Sequence, residues 1–233
     1  MLKIKIFTLF PEIFPGVLNF SVIGDALKNN IWNLEVINIR DFALDKRKTV
    51  DDTPYGGGAG MLIRPDIIAD AIDAKISDPK KTKIIYPSPR GQLFNQKKAV
   101  ELASMPELAI ICGRYEGIDQ RVIDEYNMEE ISVGDYVLSG GELPAMTMID
   151  AIVRNLPNVL GGDESLNEES FGNASGSQYD KLLEYPHYTK PQIWRSREVP
   201  EVLISGHHKN IRDWRLEQAR ELTRKRRQDL LDS

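Results

Sequence analysis

Short apolar runs alternate with amphipathic segments along the first two thirds of the chain. The pattern of apolar positions predicts five strands, at residues 3–9, 34–39, 83–86, 107–112 and 129–133. Helical spacing and capping residues such as Ser21 and Asn95 predict five helices, over 21–30, from Pro65 onward, 95–104, 118–126 and 142–154. Strands that alternate with helices predict an α/β fold with a mostly parallel sheet covered on both faces.

Two segments break this alternation. Residues 40–64 carry clustered charges, Pro54 and the run GGGAG, and no period fits them. We expect a long irregular loop there, and such loops in compact domains often serve a function. Residues 161–180 are rich in Gly, Ser, Asn and acidic residues, a composition typical of linkers.

A short unit follows the linker. Residues 191–206 are expected to be extended or irregular, and an amphipathic helix begins near His207, with one stripe formed by Ile211, Trp214, Gln218 and Leu222. The sequence therefore predicts a first domain over 1–160, a flexible linker over 161–180, and a small, mainly helical carboxyl-terminal domain over 181–233.

Composition is that of an ordinary globular protein. The chain has 233 residues, of which 41% are hydrophobic and 28% charged, and this length can bury a core without disulfides or a structural metal. The single cysteine, Cys112, excludes an intrachain disulfide and favours a reducing, cytoplasmic location. The apolar run at the start is too short to span a membrane and has no small-residue cleavage site.

Charge is distributed unevenly. The net charge of −5 argues mildly against a nucleic-acid partner, but residues 177–233 hold twelve Lys and Arg against nine Asp and Glu, so the rest carries −8. The densest basic run is 224–227, which by itself is most simply a solvated helix face.

Three predicted loops, 87–94, 113–117 and 134–141, follow strands directly and all contain glycine. In open α/β sheets ligands bind at this edge, and glycine lets backbone approach a ligand closely. The P-loop pattern is absent, and GGGAG does not match the dinucleotide fingerprint. The loop side chains are mainly apolar or aromatic, which favours an adenine-bearing ligand without a phosphate chain.

Metal and thiol chemistry are poorly supported. His207 and His208 are adjacent, so they point apart on a helix, and His187 is distant in sequence. Cys112 ends an apolar strand, and we expect a buried, inert thiol.

Several long motifs carry a family resemblance: YGGGAGM (55–61), ICGRYEGIDQR (111–121), SVGDYVLSGGE (132–142), PHYTKP (186–191), SGHH (205–208) and WR (214–215). In order and spacing they resemble the bacterial tRNA (guanine-N1)-methyltransferase family, TrmD, over essentially the whole chain. The resemblance implies the SPOUT class, in which a deep trefoil knot interrupts the α/β sheet, and a homodimer whose two subunits build each active site. It implies methyl transfer from S-adenosylmethionine to N1 of guanosine 37 of tRNA, when another guanosine precedes it.

The resemblance also implies site residues. The loops 86–91, 113–118 and 132–141 would clasp the cofactor through Tyr86, Pro87, Ser88, Pro89, Gly113, Tyr115, Glu116, Ser132, Val133, Gly134, Asp135, Tyr136, Val137, Leu138, Gly140, Gly141 and Pro144. Substrate contacts are expected at Tyr55, Gly58, Gly60 and Ser165, with none assigned to Ala59. A magnesium ion is implied as an aid to catalysis, although the sequence offers no obvious all-protein cage for it.

Two catalytic roles follow from the resemblance. Arg154 would stabilise charge on guanine O6, and the general base would lie in the linker, where the family has an aspartate and this chain has Glu169. The neighbouring Glu168 is the alternative base. The linker is expected to fold over the target when tRNA binds, with the basic carboxyl-terminal unit clamping the anticodon stem.

Three other functions remain open at this stage. One is a related SPOUT enzyme that methylates a ribose hydroxyl, and another is a non-enzymatic nucleotide-binding module that scaffolds RNA. The third, a Rossmann-type oxidoreductase, is disfavoured because its fingerprint is missing.

Overall fold

The computed structural model describes residues 1–79, 81–160, 168–172 and 178–232. The chain divides into two compact units, Met1–Leu160 and Gly161–Ser233. Each unit has its own hydrophobic core.

The first unit is built on one parallel sheet. Its five strands are β1 (Leu2–Thr8), β2 (Trp32–Asn38), β5 (Lys83–Leu93), β6 (Glu107–Ile111) and β7 (Glu129–Ser132). They lie in the order β2-β1-β6-β5-β7, and every pairing is parallel. The predicted α/β class and parallel sheet are confirmed. The central strands are apolar on both faces, as expected when both faces are covered.

Helices cover the two faces of this sheet. They are α1 (Ser21–Lys28), α2 (Pro65–Lys75), α3 (Gln96–Ala103), α4 (Gln120–Glu125) and α5 (Glu142–Val153). One core includes residues of α1, α3 and α5, and the second includes residues of α2 and α4. Asn95 caps α3 as predicted, since its Oδ1 accepts a hydrogen bond from Lys98 N at 2.9 Å.

Two helix starts differ from the prediction. Phe20, not Ser21, is the N-cap of α1, and Ser21 adopts a φ of 53° inside the first turn. The start of α4 is at Gln120 rather than residue 118, because the Asp119 side chain caps it by accepting from Arg121 N at 2.9 Å.

The prediction of a loop over 87–94 was wrong in part. The chain stays extended through Leu93 and pairs with β7 twice, first at Pro87 and then at Gln92, with a bulge between. Both residues face Ile131, so residues 88–91 bulge out of the ladder. A Cβ on Gly91 would lie 2.3 Å from the backbone carbon of Glu130, so a residue without a side chain is needed there.

The predicted irregular loop at 40–64 also has some regular structure. A 3-10 helix covers Ile39–Phe42, and β3 (Asp51–Asp52) pairs antiparallel with β4 (Leu62–Ile63). Such two-residue pairings produce no readable alternation in sequence. The glycine run 56–60 lies between these strands.

The second unit contains a short hairpin of β8 (Ile193–Trp194) and β9 (Arg197–Glu198), then α6 (Glu201–Ile204) and α7 (His208–Arg226). The predicted stripe of α7 was out of register. Its most buried positions are Ala219 and Thr223, and Ala219 packs with Leu216 against Tyr179, Leu182 and Tyr185. Among the described helices, no segment has the length and apolar character to cross a membrane.

Candidate functional site

A cavity of about 240 Å³ opens at the carboxyl ends of β5, β6 and β7. The three loops predicted to hold the cofactor meet there, because the ends of parallel strands converge at one edge. The predicted residues that line it are Tyr86, Pro87, Ser88, Pro89, Gly113, Tyr115, Glu116, Ser132, Val133, Gly134, Tyr136, Val137, Leu138, Gly140, Gly141 and Pro144. Asp135 is the predicted residue that is absent from the lining.

Four lining residues escaped the sequence prediction: Arg114, Gly117, Ile131 and Ser139. Three of them lie in the same glycine-containing loops, so taking each loop whole would have found them. Ile131 is the third residue of β7 and is buried, and its sequence context carries no signal of a ligand.

Glycines allow the third loop to pack directly on β6. Gly141 N donates a hydrogen bond to Gly113 O at 2.9 Å. A Cβ on Gly141 would lie 2.8 Å from Cys112 Cα, a distance that real side chains do not reach. The loop can therefore reach this position only with glycine at 141.

Tyr86 packs beneath the second loop. Its side chain is buried, and a Cβ on Gly113 would lie 2.8 Å from its ring, while one on Gly117 would lie 2.7 Å from its hydroxyl oxygen. Burial raises the pKa of the Tyr86 hydroxyl, so it is protonated and neutral near pH 7. The floor of the cavity is thus aromatic and uncharged.

A buried carboxylate ties the cavity loops to β1. Glu142, at the start of α5, is 2% exposed, and its Oε1 accepts a hydrogen bond from Thr8 Oγ1 at 2.7 Å. Arg114 Nε lies 2.9 Å from Glu142 Oε2, but its N–H does not point at that oxygen, so the contact is ionic. Arg114 also donates to Ser139 O at 3.3 Å and stacks on Phe10 at 4.5 Å. One guanidinium thereby connects the second and third loops.

Cys112 lies beside this network. It is fully buried, as predicted, and burial together with the nearby Glu142 carboxylate raises the pKa of its thiol well above the usual value. The thiolate is the reactive form, so the group is inert as a nucleophile.

The residues predicted to contact the substrate differ in their exposure and in how closely other atoms approach them. Tyr55 is 99% exposed and borders a second cavity, of about 400 Å³, together with Arg64 and Arg121. A Cβ on Gly58 would meet nothing within 4 Å, whereas one on Gly60 would lie 2.5 Å from the Glu116 side chain. Ser165 lies outside the described residues.

The Gly60 end of the glycine run 56–60 is attached to the loop 113–117. Glu116 N donates to Met61 O at 3.0 Å, and Ile63 N donates to Gly117 O at 3.0 Å. The glycine run therefore has one fixed end at the cavity wall and an exposed tip at Tyr55. Sequence pattern alone did not reveal this attachment.

The two predicted catalytic residues lie in different units. Arg154 follows α5 as its C-cap and is half-buried. Glu169 is also half-buried and belongs to the second unit, between Glu168 and Ser170. Over the described residues, no group of three or more His, Cys, Asp or Glu side chains is arranged to hold a metal ion.

The second unit presents basic and aromatic side chains to solvent. Arg224, Lys225 and Arg226 form the last turn of α7 and are exposed. Trp194 in the hairpin is 57% exposed, and the Arg195 guanidinium lies 4.9 Å from its ring centre. Cations and an exposed aromatic ring are the groups with which proteins contact RNA phosphates and unstacked bases.

A parallel sheet with a glycine-walled cavity at its carboxyl edge defines an α/β protein with a cavity at the edge where open sheets bind ligands. Comparison with known proteins identifies the family. The family profile described as tRNA (Guanine-1)-methyltransferase TrmD matches residues 2–233. The chain belongs to this family.

Curated relatives agree with this assignment over nearly their whole length. The chain is 54% identical to a tRNA (guanine-N(1)-)-methyltransferase of Wolbachia pipientis wMel, covering 98% of this chain and 95% of the relative. It is 52% identical to the protein of that name in Rhodospirillum rubrum, covering 98% and 92%. The protein of that name in Pelagibacter ubique is 50% identical, with 99% and 97% covered.

Proposed function

We propose that this protein transfers a methyl group from S-adenosylmethionine to N1 of guanosine 37 in tRNA that has a guanosine at position 36. The observation that carries the proposal is the family match over residues 2–233. Family membership makes the protein a tRNA methyltransferase. The methyl donor and the position on the tRNA are the finer parts of the proposal.

The lining of the first cavity suits S-adenosylmethionine. The donor carries a sulfonium cation, an adenine and an amino acid group, but no phosphate chain. The one arginine of the lining, Arg114, is held by Glu142, while Glu116 contributes a carboxylate to the lining. Apart from three serines, Ser88, Ser132 and Ser139, the remaining lining is aromatic, aliphatic or glycine backbone, which can stack on adenine and hydrogen-bond to its edge.

The path of the chain supports the proposed knot. After β7, at the edge of the sheet, the chain crosses β5 and reaches the end of β6, where Gly141 bonds to Gly113. The bulge at 88–91 lies on the strand that is crossed. We propose that the segment 134–141 passes through the loop after β5, which would fix the walls of the cavity in addition to the contacts of Arg114.

The reaction requires a base and a cation at the purine. Guanine N1 carries a hydrogen and becomes a nucleophile only when that proton leaves, and the charge then collects on O6. In our proposal Glu169 accepts the N1 proton and Arg154 stabilises O6. Bound S-adenosylmethionine would supply a methyl group activated by its positive sulfur.

We further propose that the protein acts as a homodimer. The first unit exposes large apolar side chains, among them Phe20 at 69%, Leu143 at 59% and Val137 at 84%. Large exposed apolar side chains mark an interface when they form a contiguous patch, and the proposed dimer requires that of these residues. In the dimer, Arg154 and Glu169 of different protomers would complete one active site, and the basic second unit would hold the anticodon stem.

A methyl-transfer assay on tRNA transcripts tests the proposal. Transcripts that differ only at positions 36 and 37 should be methylated only when both are guanosine, and nucleoside mass spectrometry should find 1-methylguanosine. A methylated ribose would instead indicate the related RNA ribose methyltransferase. Absence of transfer to any tRNA despite bound cofactor would indicate a non-enzymatic module.

Two substitutions test the assigned roles. Glu169→Gln should reduce turnover by about 10²- to 10⁴-fold while cofactor affinity stays normal. Arg154→Met should also reduce turnover, because O6 loses its cation. Normal turnover in either variant would refute that residue's role.

A further inference from the structure

The segment Glu168–Phe171, which carries the proposed base, is held by side chains of the second unit. Glu168 Oε2 accepts a hydrogen bond from the Tyr185 hydroxyl at 2.9 Å and from Arg215 Nη1 at 3.2 Å. Hydrogen bonds to an ionised carboxylate are stronger than neutral ones, particularly when they are partly shielded from water. One oxygen of Glu168 is thus shared between two donors.

Two hydrogen bonds hold the residues that follow Glu169. Glu184 N donates to Ser170 Oγ at 2.9 Å, and Phe171 N donates to Leu182 O at 2.8 Å. Residues 168, 170 and 171 are therefore all bonded to the strip 182–185 or to α7. Glu169 lies between these attachment points.

The donors that hold Glu168 are themselves fixed. Tyr185 is 7% exposed and packs in the core of the second unit, and the Arg215 guanidinium lies 4.8 Å from its ring centre. The strip is tied to α7 as well, since Leu183 N donates to Thr223 Oγ1 at 2.8 Å. Burial, and then the hydrogen bond to Glu168, raise the pKa of Tyr185, so its hydroxyl remains a donor across the working pH range.

We infer that Glu168 is a positioning residue that, through Tyr185 and Arg215, locks the segment carrying the base onto the second unit. The inference rests on the proposed role of Glu169 as the base. It separates two adjacent carboxylates by function: Glu168 is bonded to a buried tyrosine and an arginine, and Glu169, the next residue along the chain, is the proposed base. The base is then delivered by the same unit that is proposed to grip the tRNA stem.

Turnover of the full-length protein at saturating S-adenosylmethionine and tRNA tests this assignment. We expect Glu168→Gln and Arg215→Met each to lower the single-turnover rate by about 10- to 100-fold, because small displacements of a reacting group cost about that much. The affinity for tRNA should change by less than about threefold, since the substitutions alter placement of the base rather than binding. Arg215→Lys, which keeps the charge, should recover part of the rate. Glu217→Gln, at an exposed position of helix α7, is the matched control for Glu168→Gln and should behave as wild type.

The pH profile distinguishes positioning from catalysis. Glu169→Gln should abolish the acid limb of the rate profile, whereas Glu168→Gln should lower the whole profile and keep that limb, because the base itself is still present. The double variant Glu168→Gln/Arg215→Met should be no slower than the slower single variant, since both remove one contact.

Hydrogen exchange provides a readout that does not depend on which group is the base. Loss of the lock should speed exchange of the Phe171 and Glu184 amides in Glu168→Gln, relative to Glu217→Gln. Unchanged exchange and rate in Glu168→Gln would overturn the lock while leaving Glu169 as the base. An active Glu169→Gln beside an inactive Glu168→Gln without an acid limb would overturn both assignments. A higher tRNA dissociation constant with a normal saturated rate in Arg215→Met would show a phosphate contact instead.

Discussion

The buried contact between Glu142 and Arg114 gives the sharpest stability prediction. Arg114→Met would keep most of the side-chain volume but leave the Glu142 carboxylate, 2% exposed, with Thr8 as its one remaining described donor. Removing one partner of a buried ion pair costs about 3–5 kcal/mol, because the remaining charge is desolvated without compensation. The Arg114 side chain is itself 21% exposed, so water can partly replace it, and we take the low end, about 3 kcal/mol.

For a chain of this length, each kcal/mol shifts Tm by about 2–4 °C, so Arg114→Met should lower Tm by roughly 6–12 °C. Thermal unfolding followed by circular dichroism measures this shift. Arg121→Met is the control, since Arg121 pairs with Asp119 at 2.7 Å but its side chain is 71% exposed. We expect its Tm to stay within the scatter of replicate measurements.

A double variant distinguishes the cost of leaving Glu142 charged and unpaired from the other effects of removing Arg114. Arg114→Met/Glu142→Gln removes both charges and keeps an acceptor for Thr8, so it should be more stable than Arg114→Met alone. Two results would refute the reasoning: equal Tm values for Arg114→Met and Arg121→Met, or a double variant no more stable than the single one.

Three further predictions concern separate parts of the first unit. Gly141→Ala should weaken S-adenosylhomocysteine binding by at least about tenfold in calorimetry, because a Cβ would lie 2.8 Å from Cys112 Cα; unchanged affinity would mean that the loop can shift freely. Iodoacetamide at pH 8 should alkylate Cys112 only after urea unfolds the protein, because burial raises the pKa of the thiol, and rapid labelling of the folded chain would contradict this. Burial opposes ionisation of Glu129, but its ion pairs with Lys83 and Lys98 outweigh burial and lower its pKa. The stability lost in Glu129→Gln should therefore be complete at neutral pH and shrink as pH falls below 4.5, and a loss independent of pH would refute the pairing.

Much of the fold could be predicted because its signals are local. The strands of the sheet are short apolar runs, and Asn95 caps its helix with a bond three residues away. The cavity was also predictable in outline, since glycine-containing loops that follow parallel strands must meet at one edge. No contact between distant residues was needed for these inferences.

Other features depend on contacts that the local pattern does not contain. The strand β5 continues past Pro87 because its residues Gln92 and Leu93 pair with β7, which lies more than thirty residues later in the chain. The packing stripe of α7 was displaced because the strip at Leu182 and Tyr185 decides which face is buried. Such pairings are set by the tertiary fold and leave no periodic trace.

By itself, the sequence determined the α/β class, the edge where the ligand loops meet, and the family, because apolar periodicity and long motifs are properties of contiguous residues. The tertiary structure alone decided which charges are neutralised and where. It placed Arg114 beside Glu142, which also accepts a hydrogen bond from Thr8. It placed Glu168 within hydrogen-bonding distance of Tyr185 and Arg215. Adjacent glutamates are equivalent in sequence, and they become different only when folding gives each of them its own surroundings.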